Sequence, residues 1–429
     1  MSDIPQSKWA RGSKLLRLAA QVAAKEASAR LSPRALESVQ KIALRVEQTK
    51  LLVETLSQMK GAAMKAGQLL SIEGQDFLPP EVMELLSKLH DQAPALNPSK
   101  SRELFVAQFG QELVDSLAIS ETPIAAASIG QVHRAHWQGQ DIVLKLQYPG
   151  VAASIDSDVA LLQSAAQKMN LLAGKRSELT ELFEEIRLIL HQETDYLAEA
   201  QAMKSYAENF RHTPGIIVPR PIEELCRKTV LAMSYHEGKN LKLWAQSAHS
   251  SDKQLVGERL MQLFLDEYLT HGLVQTDPNW GNFLVNSTGE LVVLDFGATK
   301  TYSPEFRQTY RRILTHTMRR EKAELLRVSE EFGLIDPREP LEAREAYVHM
   351  MDVVLSPFRH QGLFSFAGET YSQDSREATM EFARKLKYSP PPRQLIFLHR
   401  KLGGVFQGLK RLEAKLDLGV IWREHMELK

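Results

Sequence analysis

The sequence predicts an α+β fold in two lobes, one bearing a small sheet and one mainly helical, with a helical extension in front and a helical insertion inside. Three observations predict it. Helical periodicity runs through most of the first 120 residues and returns beyond Leu241. Short β-type runs cluster between Pro123 and Tyr235, and one further pair of them occurs at Phe283–Phe296. The implied organisation is a helical extension over residues 1–120, a sheet-bearing lobe with its insertion over 121–238, and a helical lobe over 239–429.

In the extension, Ser13–Arg30 reads as an amphipathic helix carrying Lys14, Arg17, Lys25 and Arg30. Its basic face suits either packing on the protein or an anionic membrane surface. Pro79-Pro80 and Ala95-Leu96-Asn97-Pro98 break the pattern. Ile129–Ala135 and Asp141–Gln147 predict a hairpin around Trp137-Gln138-Gly139-Gln140. After Pro149-Gly150, helices are expected over Ser154–Ala173 and Glu178–Phe210. Strands at Ile216–Ile222 and Lys228–Tyr235 follow, closing at His236-Glu237-Gly238. Everything beyond Leu241 is expected to be helical except the Phe283–Phe296 hairpin, which turns at Asn286–Gly289.

Composition excludes several classes of protein. The 429 residues are 43% hydrophobic and 25% charged, enough for sizeable cores without disulfides or structural metal. Lys plus Arg equals Asp plus Glu at 53 each, so no global charge points to nucleic acid. Cys226 is the only cysteine, which rules out an internal disulfide and a cysteine zinc site. No apolar run reaches the ~18–20 residues that span a bilayer, and the opening MSDIPQSKWARG has no secretory pattern. The expectation is a cytoplasmic protein, with any contact to the inner face of the membrane peripheral.

The chemistry-bearing pattern begins at Asp277-Pro278-Asn279-Trp280-Gly281-Asn282, followed thirteen residues after Asn282 by Asp295-Phe296-Gly297 across a hairpin. An aspartate, an asparagine five positions on and a DFG at this distance reproduce the catalytic loop and metal site of a protein kinase. Asp277 then lies by the transferring phosphoryl group, and Asn282 and Asp295 converge on Mg2+. Ile142-Val143-Leu144-Lys145 ends an apolar strand where a kinase places its phosphate-binding lysine. Three acids in Glu193-Thr194-Asp195-Tyr196-Leu197-Ala198-Glu199 are available to pair with it. Asp195 and Glu199 share a face, and Glu199 is assigned to Lys145. Glu193 and Asp195 are left for the phosphates or another basic group. The candidates for catalysis are therefore Asp277, Lys145 and Glu199.

The phosphate loop departs from the kinase pattern. Of G-x-G-x-x-G-x-V, only the last glycine and the valine survive in Ala125-Ala126-Ala127-Ser128-Ile129-Gly130-Gln131-Val132. Alanine resists φ > 0 and holds the backbone farther from phosphate than glycine does. Ala125, Ala126, Ala127, Ser128, Gly130 and Val132 are assigned to the ATP or ADP, together with Met233 and Tyr235 at the end of the next long strand. His-Arg before the loop aspartate is replaced by Gln275-Thr276, and no Ala-Pro-Glu follows the DFG. Little is left on which a peptide substrate could dock.

Together with Lys65-Ala66-Gly67-Gln68 in the extension, these motifs resemble the UbiB family of atypical kinase-like proteins, also called AarF-domain kinases. The carriers are KAGQ, AAAS with IGQVHRA, LKLQYPGV, ETDYLAEA, QTDPNWGNF and LDFGAT, spanning Gly61–Thr301, with a weaker echo at Leu398-His399-Arg400-Lys401-Leu402-Gly403-Gly404. The wording of QTDPNW and DFGAT is most like the branch that supports coenzyme Q. The resemblance implies that the KAGQ helix, with Lys65, Gly67 and Gln68, covers the cleft and that Lys65 and Gln68 reach towards Glu193 and Asp195; pairing of Lys65 with either acid is expected to restrain phosphoryl transfer. It also implies ATP and Mg2+ as cofactors, an ATPase or kinase activity linked to ubiquinone biosynthesis, and lipid quinone intermediates or quinone-biosynthesis proteins as partners. The alternatives are a protein kinase with an unusual substrate and a nucleotide-binding pseudokinase scaffold.

Overall fold

The computed structural model of the chain describes residues 61–73, 95–127, 129–168, 176–277, 279–389 and 393–427. The expected Ser13–Arg30 helix, the Pro79-Pro80 break, Ser128 and Pro278 lie outside the described residues. Two compact units emerge: one holds the described residues up to Gln201 with Arg220–Tyr235, the other Ala202–Pro219 with His236 onward.

The first unit is built on a four-stranded antiparallel sheet ordered Ala125–Ala126, Gly130–Trp137, Gln140–Gln147, Val230–Ser234. The hairpin turns at Gln138 and Gly139, with φ of 49° and 81°, the paired positive values that match the twist of the flanking strands. Strand Gln140–Gln147 is central, so Ile142, Val143, Leu144 and Leu146 are all buried rather than alternating.

The KAGQ motif lies on the helix Ala62–Glu73, which packs with the helices Val151–Lys168 and Arg176–Glu193. Ala62, Ala63, Met64 and Ala66 meet a core of Ile155, Val159, Phe183, Ile186 and Leu190. The small side chains let the helix approach its neighbours closely. The helix opens at Gly61 with φ of 76°, where a Cβ would sit 3.0 Å from Val151 Cγ2.

Gln131 and His133 of the IGQVHRA stretch have a structural task. The Gln131 amide, fully buried, accepts from Leu96 N at 2.7 Å and donates to Ser101 Oγ at 2.7 Å and to His133 Nε2 at 2.7 Å. His133 Nε2 therefore accepts, and Nδ1–H donates to Ser120 O at 2.7 Å. Burial holds this imidazole below its usual pKa, which keeps it neutral. Four hydrogen bonds thereby tie the helix Pro98–Phe109 and the segment before the sheet to strand Gly130–Trp137.

The stretch expected as one helix over Glu178–Phe210 is two. The helix Arg176–Glu193 ends where Thr194 Oγ1 bonds back to Leu190 O, and Asp195 Oδ1 caps the helix Tyr196–Asn209 by accepting from Ala198 N at 3.0 Å. A β-branched residue followed by a capping acid is the local reason for the break. Ile216–Ile222 forms a strand only at Ile216–Ile217, because Pro219 and Pro221 have no N–H to offer a ladder.

The second unit is mainly helical. Its four-stranded sheet is ordered Ile216–Ile217, Leu291–Val293, Phe283–Val285, Lys239–Asn240, parallel only between the first two. Two more short pairs interrupt the helices expected beyond Leu241: Leu273–Gln275 with Thr299–Thr301, and Phe364–Ser365 with Lys415–Leu416. Strands of two or three residues are too short to show alternation in a sequence. The long helix Arg393–Leu412 packs on Ser250–Leu265, which runs into a π-helical turn at Asp266–His271 and stops at Gly272 with φ of 70°.

Replacing Gln131 with Leu strands the buried Leu96 N–H without an acceptor and should cost about 1–3 kcal/mol. The expected outcome is a lower urea midpoint with an unchanged denaturant slope, measured by circular dichroism.

Candidate functional site

In the first unit Lys145 Nζ donates to both Glu199 oxygens, at 2.9 and 3.0 Å. The carboxylate side chain is 1% exposed and the lysine 12%. Register places Lys145 between Val132 and Leu231, on the central strand where it has the least freedom to move. The Tyr196 ring lies 5.0 Å from its ammonium, and Gln147, two residues on, donates to Thr194 O at 3.0 Å. The same strand thus holds both the helix break and the acid that follows it.

The other two acids have parted. Glu193 pairs with Lys65 Nζ at 2.8 Å, while Asp195 is exposed and spends one oxygen as a helix cap. Gly67 and Gln68 are buried on the same helix as Lys65.

The alanine loop sits on the sheet edge. Ala125 and Ala126 pair with Val132 and Gln131, and Ala127 N donates to Gly130 O at 2.8 Å. None of the three alanines has positive φ, so their Cβ atoms cost no backbone strain. Gly130 is different, because a Cβ there would lie 2.6 Å from Leu146 O and 2.9 Å from Tyr196 Oη. The surviving glycine is fixed by close approach rather than by φ. Met233 pairs with Val143, and Tyr235 N donates to Asp141 O at 3.1 Å, while the Tyr235 ring takes the Arg134 guanidinium at 4.2 Å.

In the second unit Asn282 Nδ2 donates to Asp277 Oδ2 at 2.9 Å, and Asp277 Oδ1 accepts from Asn279 N at 3.2 Å. Asn279 caps the short 3-10 turn Trp280–Asn282 by accepting from Gly281 N at 2.9 Å. Leu294 N donates to Asn282 O at 2.9 Å, joining this loop to the DFG strand. Asp295 Oδ1 accepts from Gly297 N at 3.0 Å, and Phe296 is buried with its ring 4.9 Å from that of Tyr206. The donors offered here are oxygens, two carboxylates and one amide, which suits a small hard cation that keeps phosphate and water ligands. Among the described residues there is no group of three His, Cys, Asp or Glu side chains able to cage a metal alone.

From Gly297 the chain passes at once into strand Thr299–Thr301, paired with Leu273–Gln275, and then into the helix Pro304–Met318, capped by Ser303. The six residues 298–303 are the whole connection between DFG and helix.

The LHRKLGG stretch holds functional candidates that the sequence left unassigned. Lys401 is 2% exposed and donates to Gln275 Oε1 at 2.7 Å. Glu267, fully buried, lies 3.4 Å from that ammonium and accepts from Tyr206 Oη at 2.9 Å. Burial pushes the Glu267 carboxyl up to about 6, with Lys401 pulling the other way. His399 Nε2 is hydrogen-bonded to Tyr310 Oη at 2.6 Å, and burial holds the imidazole pKa down at about 4. An acid inside the apolar run Leu263–Leu269 was the legible signal, since such a charge needs a partner.

A family described as the ABC1 atypical kinase-like domain matches residues 88–329. The mitochondrial atypical kinase COQ8 of Saccharomyces cerevisiae is 31% identical over 378 residues, 87% of this chain and 75% of that protein. COQ8B of Rattus norvegicus is 31% identical over 370 residues, covering 85% of this chain and 69% of that protein. Among solved structures, an Rv3197–erythromycin complex from Mycobacterium tuberculosis superposes with a TM-score of 0.63 at 24% identity, over 89% of this chain and 96% of that one.

Two predictions follow from the geometry. Lys145→Ala removes the ammonium that meets the buried Glu199 carboxylate and should destabilise the protein by about 3–5 kcal/mol, and a double-mutant cycle with Glu199→Gln should show strong coupling in urea melts. For His399 the folded pKa is depressed, so its contribution is present above about pH 6.5 and is lost as pH falls towards 4. Between pH 7 and pH 5 that loss should be about 2 kcal/mol, and His399→Gln should remove it from the pH profile of the urea midpoint.

Proposed function

The chain belongs to the ABC1 atypical kinase-like, or UbiB, family, and on that premise we propose that it binds Mg-ATP and cleaves its terminal phosphate bond in support of ubiquinone biosynthesis. The observation that carries this reading is the Lys145–Glu199 pair. A buried carboxylate that grips an ammonium with both oxygens fixes the cation at one point on a rigid strand, as the α- and β-phosphates require. Asp277 holds the Asn282 amide and orients it. It also supplies the carboxylate that would accept a proton from an attacking hydroxyl or water. Asn282 and Asp295 would hold magnesium, which supplies charge neutralisation to the phosphates.

A lipid intermediate of the quinone pathway, or water, is the proposed phosphoryl acceptor. A protein acceptor is disfavoured by the six residues 298–303, which run as paired strand into a capped helix and offer no activation segment. The pairing of Lys65 with Glu193 supports a restraining role for the KAGQ helix. Among the described residues no helix is long and apolar enough to cross a membrane. Access to a lipid acceptor would come through a peripheral contact, and the basic stretch Ser13–Arg30 is the proposed contact.

Asp295→Asn should abolish stabilisation by Mg-ATP, which for the wild type at a hundredfold excess over Kd amounts to about 2.7 kcal/mol. Thermal melts with and without Mg-ATP check this. Equal stabilisation of variant and wild type would remove Asp295 from the metal. Quinone intermediates should accumulate in cells carrying the variant, and an unchanged profile would overturn the pathway while leaving nucleotide binding intact.

A further inference from the structure

The loop that carries Asp277 and Asn282 is tied by main-chain bonds to the DFG segment near its two ends, Leu294 N to Asn282 O at one of them. Strand Leu273–Gln275 ends before it, and Thr276 N and Oγ1 both donate to Ala298 O at 2.8 Å. In a kinase the two residues before the aspartate are His and Arg. Here they are Gln275, fully buried, and Thr276, 2% exposed, so the usual cation is missing from the loop itself.

A cation reaches the loop from elsewhere in the same unit. The helix Arg393–Leu412 sends Lys401 to Gln275 Oε1 at 2.7 Å and Arg400 Nη2 towards Thr276 O at 3.5 Å. Two turns later its Gly408 lies against the Trp280 indole, where a Cβ would meet Nε1 at 3.3 Å, and the Arg411 guanidinium sits 5.5 Å from that ring. One helix therefore touches the loop on both sides of Asp277.

The lysine's position is costly unless it serves a purpose beyond packing. A buried ammonium needs a counter-charge, and Glu267 supplies it at 3.4 Å from within the π-helical turn. Glu267 also accepts from Tyr206, whose ring lies on Phe296 of the DFG. The chain of contacts Gln275, Lys401, Glu267, Tyr206, Phe296 joins the Asp277 loop to the metal-binding strand end through charged and aromatic groups with little freedom to shift.

We propose that Lys401 is a positioning residue for phosphoryl transfer, holding the Asp277–Asn282 loop in register through Gln275 and linking it to the DFG through Glu267 and Tyr206. The inference rests on the Mg-ATP reading for its kinetic consequence, but not for the hold on the loop. It separates two roles of the lysine: balancing Glu267, which is structural, and gripping Gln275, which sets the reacting geometry.

The variant Lys401→Met with Glu267→Gln removes both charges together and keeps the site neutral and filled, so it avoids the unpaired carboxylate that Lys401→Met alone would leave. Its folding is confirmed by a cooperative melt. Hydrogen exchange at Thr276 and Asn282 then reads the loop directly, and steady-state hydrolysis of Mg-ATP reads the chemistry. The expected result is exchange about tenfold faster at those amides, with kcat lowered about tenfold or more and KM for ATP unchanged, because a small misplacement of reacting groups is felt in the transition state rather than in binding. Lys401→Arg, which keeps a donor to Gln275, should recover part of kcat. Wild-type exchange at both amides, or wild-type kcat, in the double variant would overturn the proposal. A wild-type protein that hydrolyses no ATP would instead remove the Mg-ATP reading, and the exchange data would still decide whether Lys401 holds the loop.

Discussion

Removing a carboxylate from water costs several kcal/mol unless a cation and further donors meet it, and in the first unit this constraint falls on Glu199. Lys145 meets it with a bidentate contact, and Lys145 can do so only from the centre of the sheet. The sheet in turn needs the Gln131 and His133 network to join it to the preceding helix, and the helix break before Glu199 needs Gln147. Tyr196 lies beneath the lysine and also closes the space beside Gly130. Sheet, helix break and surviving loop glycine thus all meet at one buried ion pair.

What was legible in the sequence was whatever spacing encodes. The hairpin around Gln138-Gly139 and the join between the Asp277 loop and the DFG strand follow from residues at fixed intervals on short elements, while the Lys145–Glu199 contact, 54 positions apart, was legible because both segments match the kinase pattern. The partner of Lys65 did not follow. Glu193 and Asp195 were both left open as partners for a basic group, and the break at Thr194 sends Asp195 to cap a helix while Glu193 pairs with the lysine. Contacts over long separations were illegible for a related reason. Gln275 and Lys401 are 126 positions apart, and nothing local in either segment marks the other.

The alanine loop illustrates how a departure from a pattern can be read for its backbone. Its alanines occupy ordinary φ, so the lost glycines signal a loop that no longer needs special conformations. Gly130 survives because atoms crowd it. The same residue type is dispensable at one end of a motif and required at the other, and only distances separate the two reasons.

The strand Thr299–Thr301 has a consequence for control. In enzymes switched by modification of this segment, the competent form is a minority until the segment orders, and apparent affinity is reduced by that fraction. Here the segment is already laddered to Leu273–Gln275 and followed by a capped helix, so it is ordered without any modification. A phosphate added there would not be needed to order it. Any throttle on such a protein has to act by obstructing or distorting a prepared machine, and its natural kinetic signature is a brake released rather than a switch thrown.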